Sequence, residues 1–203
     1  MKSNIDLLEP GSYYHIFNRG INKESVFKER KNYAYFLEKC MKYIHPIAKT
    51  FSYCLLSNHF HFLIQIRTED EIRNNLPLKD GIEIKKLISH QFSHLFNSYA
   101  QSINKSTGRT GGLFETPFRR IAVQDENHLN QLVLYIHFNP VKHGFTNDYI
   151  NYPFSSYQLF LNDKETRIAR DEVISWFGDL ESFIKSHQEY KNYNFSDVHF
   201  LED

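Results

Sequence analysis

The chain changes its hydrophobic period several times, and each change marks an element. Residues 12–18, SYYHIFN, are aromatic and β-branched with turn chemistry behind them in Arg19-Gly20-Ile21-Asn22, the pattern of a strand. From Glu29 to His45 the apolar positions Tyr33, Phe36, Leu37, Cys40, Met41 and Ile44 recur at helical spacing until Pro46 stops them. Residues 48–56 and 60–66 read as two further strands parted by the turn signal Ser57-Asn58. The stretch 67–82 is polar and of mixed charge, which predicts an exposed connection with little core content. Helical spacing resumes over 84–104 through Ile84, Leu87, Ile88, Phe92, Leu95, Phe96 and Tyr99, and the run 107–112 breaks it. Residues 113–123 then read as a strand edged or interrupted by Pro117. Asp125 is placed to cap a helix whose stripe is Leu129, Leu132, Val133 and Ile136. Because Asn139 precedes Pro140, that helix is expected to end or kink at Asn139. Beyond Gly144 come the aromatic segment NYPFSSYQLF and one more helix, from Asp171 to about Gln188.

Strand, helix, strand, strand, helix, strand is the order of a ferredoxin-like βαββαβ sandwich, an α+β fold with an antiparallel sheet. Its helices cover one face and leave the other available, here with an added helix and a helical C-terminal extension. The expected division is a domain over 1–147, with 67–82 as a flexible insertion, and an extension over 148–203 packed on it. Apolar residues make up 41% of the 203 and aromatic ones 16%, enough for a core. No run approaches the roughly 18 apolar residues that span a membrane. The N-terminus has no leader pattern, and Cys40 and Cys54 have no metal or redox spacing, so the expectation is a soluble cytoplasmic protein without a membrane partner. Lysine plus arginine equals aspartate plus glutamate at 24 each, so bulk charge carries no sign of nucleic-acid binding. Locally, 101–120 holds Lys105, Arg109, Arg119 and Arg120 against Glu115, which is either a basic patch or an ordinary solvated loop.

The candidate chemistry begins at SNHFHF, residues 57–62. Strand alternation puts Phe60, Phe62, Ile64 and Ile66 on one face and His59, His61, Leu63 and Gln65 on the other. Two imidazoles at i and i+2 are roughly 6.5–7 Å apart by strand rise, near enough to converge on one ion. About 0.6 such pairs are expected by chance from 11 histidines, so the pair needs support from elsewhere. The helix after Asp125 offers it, since Tyr135 and Asn139 at i, i+4 stack on one flank and can address one site. Two other Tyr-x-x-x-Asn spacings occur. Tyr14 and Asn18 lie in a strand, about 13 Å apart by rise, and Tyr190 and Asn194 lie in a polar tail with no core to hold them.

Five ordered motifs resemble those of the single-tyrosine HUH transposases of simple insertion sequences and the REP-associated tyrosine transposases. They are YYHIFNRG at 13–20, YCLLSNHFHFLIQI at 53–66, GGLFETPFRR at 111–120, YIHFNPVKHG at 135–144 and FSSYQLF at 154–160. With the helices between them they span about 12–190, and they depart from many relatives at Ser57, where proline is usual, and at Phe154, where tryptophan is usual. The resemblance implies a metal-dependent endonuclease and strand transferase for single-stranded DNA with hairpin or palindromic ends. By motif position His59, His61 and Asn139 are its metal ligands and Tyr135 its nucleophile. It implies Mg²⁺ or Mn²⁺, a 5′-phosphotyrosine intermediate and no nucleotide cofactor, although ligand chemistry alone would also allow zinc. It also adds weight to the basic residues, making Asn18, Arg19, Lys105, Arg109, Arg119, Arg120 and Lys142 DNA-contact candidates. Phe114 and Phe118 either stack on unpaired bases or belong to the core. Trp176 and Phe177 either pack on the domain or support a homodimer. Two other functions compete: a ferredoxin-like nucleic-acid binder without cleavage, and a zinc domain, for which the two cysteines supply no close ligand set.

Overall fold

A computed structural model describes residues 7–79, 81–123 and 125–190. Four strands form its sheet: β1 (Tyr13–Arg19), β2 (Ala48–Leu55), β3 (His59–Ile66) and β4 (Arg119–Val123). Their spatial order is β2-β3-β1-β4 with every pair antiparallel, the ferredoxin-like arrangement expected. Between them run α1 (Arg30–Tyr43), α2 (Glu69–Asn75) and α3 (Ile84–Thr107), and after them α4 (Glu126–Lys142), α5 (Tyr157–Phe160), α6 (Arg170–Phe177) and α7 (Leu180–Tyr190).

Alternation along β3 divides two cores. Phe60, Phe62, Ile64 and Ile66 join Phe36 of α1 and Ile88, Phe92, Leu95 and Tyr99 of α3 on one side of the sheet. Phe36 is fully buried, with its ring about 5.0 Å from both Phe60 and Tyr99. Phe114 belongs to this core and Phe118 packs against Phe92 and Phe96, so both aromatics serve packing. On the other side Phe51, Cys54 and Leu63 meet Leu129, Leu132, Val133, Tyr135 and Ile136 of α4, together with Tyr157, Val173 and Phe183 of the extension. Phe51 reaches this side because an irregularity between Thr50 and Ser52 shifts the β2–β3 register.

Several expectations are corrected. The second face is not left open, because α4 lies across β2 and β3 and α6 and α7 pack behind it. Helix α4 is therefore buried around most of its circumference. It also runs through Pro140 to Lys142; packing on both sides holds the turn although proline removes one backbone donor. The segment 67–82 is not wholly an exposed connection. It contains α2, opened by the capping box of Thr68 and Glu71 and anchored by the fully buried Ile72. The strand expected over 113–123 is shorter, since only Arg119–Val123 joins the ladder and Phe114 makes a single bridge to Gly20. The helix expected from Asp171 to Gln188 is two helices, α6 and α7, broken where Gly178 adopts a φ of 96°. Tyr190 is buried against Phe138 rather than lying in an unsupported tail, and Asn194 falls outside the described residues. Trp176 stacks on Phe51 at 4.9 Å and Phe177 meets Phe183 at 5.1 Å, so both pack on their own domain. Among the described residues no helix is long and apolar enough to cross a membrane, and Cys40 and Cys54 are free thiols.

Candidate active site

The β1–β3 register assembles the site. Phe17 pairs with His61 and Arg19 with His59, which places His15 diagonal to His61 on the face turned toward α4. His15 Nε2 lies 2.9 Å from His61 Nδ1, and both rings are buried. Tyr135 comes down from α4 edge-on to these rings, with centroids 5.7 Å from His61 and 5.9 Å from His15. One turn further along α4, Asn139 is fully buried and donates its Nδ2 to the Tyr135 carbonyl at 3.3 Å. His59 is half-buried beside Asn58, whose Oδ1 is 2.7 Å from His59 Nδ1. His143, just after α4, stands edge-on to His59 at 4.7 Å.

A cleft of about 250 Å³ opens over the histidines. It is lined by Phe17, Asn18, Arg19, Lys23, Asn58, His59, His61, Glu115, Arg119 and His143. Tyr135, 1% exposed, sits against His61 instead of on the cleft wall. Burial first, then the neighbouring imidazoles of His15, His59 and His143 and the Lys142 ammonium, hold His61 well below the usual histidine range. The ring is therefore neutral at pH 7, the form that offers a lone pair. Lys142 places its ammonium 4.8 Å from the centroid of the Tyr135 ring. Among the buried polar atoms with no hydrogen-bond partner are His61 Nε2 and Asn139 Oδ1. Among the described residues no group of three or more His, Cys, Asp or Glu is arranged to hold a metal, so any ion here would draw on an amide oxygen as well.

Not all the DNA-contact candidates gather here. Arg19 and Arg119 line the cleft, Arg19 paired with Glu115 at 2.7 Å. Asn18 also lines it, but its amide is engaged inside the protein, with Nδ2 on the Glu115 carbonyl and Oδ1 on the Arg19 amide. Arg120 pairs with Ile16 and so belongs to the α1–α3 side, its guanidinium 4.8 Å from the Phe118 ring centroid. Arg109 closes its own loop through the Gly112 carbonyl and the Glu24 carboxylate. Lys105 is exposed on the last turn of α3 and does not line the cleft.

No family model matches the chain. A Haemophilus influenzae protein provisionally named a REP-associated tyrosine transposase is 28% identical over 139 residues, covering 68% of this chain and 71% of its own length. A solved structure of a REP-associated tyrosine transposase bound to a REP hairpin matches the fold with a TM-score of 0.56. That match has 17% identity and covers 79% of this chain and 86% of the other. The chain resembles the REP-associated tyrosine transposases in sequence and in fold. This transposase-like fold also brings in residues that sequence reasoning missed: His15, Lys23, Asn58 and His143. Asn58, next to His59, was visible as a polar neighbour; His15 needed the pairing of β1 with β3, which no local pattern states.

Proposed function

We propose that the chain nicks and rejoins single-stranded DNA beside a hairpin or palindromic end, through a covalent 5′-phosphotyrosine on Tyr135. The observation that carries this reading is the packing of a tyrosine from α4 edge-on against a histidine of β3, at 5.7 Å, beneath a cleft with basic walls. A core needs no phenol, histidine pair and buried amide together at one point, whereas transfer of a phosphodiester does.

The residues fit a divalent cation. His61 Nε2 and Asn139 Oδ1 are buried polar atoms with no hydrogen-bond partner, and His59 stands beside His61 on the same strand face. His59, His61 and Asn139 would hold Mg²⁺ or Mn²⁺, which when bound polarises a non-bridging phosphate oxygen. The chain's own residues do the rest. Arg19, Lys23 and Arg119 on the cleft wall orient the phosphates, and Lys142, its ammonium over the Tyr135 ring, adds positive charge beside the nucleophile. The Tyr135 oxygen attacks phosphorus in line, the bond to the 3′-oxygen breaks, and the departing 3′-oxygen takes up a proton. Attack by another 3′-hydroxyl reverses the step, so no nucleotide cofactor is needed. A reducing cytoplasm, where Cys40 and Cys54 stay as thiols, suits the reading.

The test uses hairpin-bearing single strands from the host genome with Mn²⁺ or Mg²⁺. Wild type is expected to cut and remain attached to the 5′ end, and Tyr135→Phe to form no adduct while still binding the hairpin. An adduct on Tyr135→Phe would reject the nucleophile. Tight hairpin binding without cleavage under either metal would leave a binding protein.

A further inference from the structure

We infer that His15 and Asn58 are positioning residues that fix the tautomers of the two candidate ligands, so that His59 and His61 both present a bare Nε2. The inference rests on the proposed metal role of those histidines, but its first step is independent of it. Asn58 Oδ1, 2.7 Å from His59 Nδ1, can only accept, so the proton of the neutral His59 ring is on Nδ1. The amide is oriented from its other end, where Nδ2 donates to the Lys23 carbonyl at 3.5 Å. The turn itself is tied down by the Gly20 amide, which donates to the Asn58 carbonyl at 2.8 Å.

For His61 the choice lies between two directions of one hydrogen bond. If His15 donated, the His61 proton would sit on Nε2, a buried donor with no hydrogen-bond partner. If His61 Nδ1 donates to His15 Nε2, the His15 proton sits on Nδ1 and His61, which lines the cleft, keeps a lone pair on Nε2, the form that ligates; the proposed metal role selects this direction. His15 is held for this task by its stack on Phe17, at 4.7 Å, and by the edge of Tyr135. The two ligands are thus set from opposite sides, one by the β2–β3 turn and the other by β1. His15 lies behind the cleft lining, and Asn58, which is part of that lining, acts in this scheme through His59.

Imidazole ¹⁵N spectra of the metal-free protein at neutral pH read the tautomers directly. Both His59 and His61 are expected to show protonated Nδ1 and unprotonated Nε2. Mn²⁺ titration by calorimetry is expected to show affinity about 10–100-fold weaker in Asn58→Ala and His15→Phe at unchanged fold. His15→Gln, which keeps an acceptor, should recover most of the loss. A proton on His61 Nε2, or wild-type Mn²⁺ affinity in His15→Phe, would overturn the inference. If His15→Phe does not fold, the wild-type spectra and Asn58→Ala in the half-buried turn still decide it. A wild type that binds no Mn²⁺ would remove the metal reading, while the spectra would still judge the tautomers.

Discussion

Arg119 and Arg120 show what a one-residue offset does on a strand. Arg119 pairs with Phe17 and faces the cleft; Arg120 pairs with Ile16 and faces the α1–α3 core edge. Both stand in the same basic stretch, and composition cannot separate them. Alternation can, once the register is known. Arg119→Ala is expected to weaken binding of a hairpin-bearing single strand several-fold and to lower the salt slope of log K by about 0.7, the share of one phosphate contact. Arg120→Ala should leave both unchanged. Fluorescence anisotropy across a salt series checks this, and equal effects of the two would show that DNA does not enter by the cleft. The same logic explains what was legible at this scale. Placing His59 and His61 opposite the phenylalanines needed only the period of one strand. Placing His15 beside His61 needed the partner strand, which lies 46 residues away in sequence.

Elements were legible where apolar residues repeat often enough to show a period. The strands β1, β2 and β3 and the helices α1 and α3 carry several core residues each, and their positions agree with the pattern to within a few residues. Helix α2 escapes because it buries a single residue, Ile72, so no 3.6-residue repeat can show. Its signal was instead chemical: Thr68-Glu69-Asp70-Glu71 is a capping box directly before that isoleucine. Thr68 Oγ1 accepts from the Glu71 amide, and the Glu71 carboxylate accepts from the Thr68 amide and hydroxyl. Those hydrogen bonds also hold the Glu71 carboxyl below its usual range. Thr68→Ala is expected to cost about 1 kcal/mol in urea unfolding and to leave hairpin binding intact. No loss of stability would mean that Ile72 alone anchors α2. The break between α6 and α7 at Gly178 and the passage of α4 through Pro140 are the converse cases. Local signals at glycine and proline state a preference, and the packing around each helix decides whether it is obeyed.

On the scale of the whole molecule, the extension and α4 are joined by a buried polar chain that no sequence pattern announced. His187 Nδ1 donates to the Phe183 carbonyl at 2.7 Å, which leaves His187 Nε2 to accept from His137 Nδ1 at 2.9 Å. His137 Nε2 then accepts from the Ser156 hydroxyl at 2.8 Å, and that oxygen accepts from the Tyr53 amide of β2 at 2.9 Å. With both rings neutral every imidazole nitrogen of the chain has a partner, and the Ser156 hydroxyl has a second acceptor in the Tyr53 carbonyl at 3.2 Å. Burial, with the proximity of His187 for His137, holds His137 well below the usual range and His187 at about 4. The direction of the pH effect follows. In the unfolded chain a histidine takes up a proton below about 6.5, whereas folded His187 resists until about 4, so the unfolded state binds more protons between those values. Stability is then fully present above about pH 6.5 and falls as pH drops through that window, by about 3 kcal/mol for His187 alone. Urea unfolding at pH 7.5, 6, 5 and 4.5 in the presence of a chelator should show this decline. His187→Phe should flatten it, whatever the variant does to stability at pH 7.5, because the residue that discriminates between the two states is gone. A slope unchanged in His187→Phe would mean that the neutral imidazole chain does not set acid stability and that other groups, His61 included, carry it. Because this chain links β2, α4 and α7, its protonation would loosen the helix that holds Tyr135 and Asn139 against the histidines of β3, and acid should cost hairpin cleavage before it costs the α1–α3 side of the sheet.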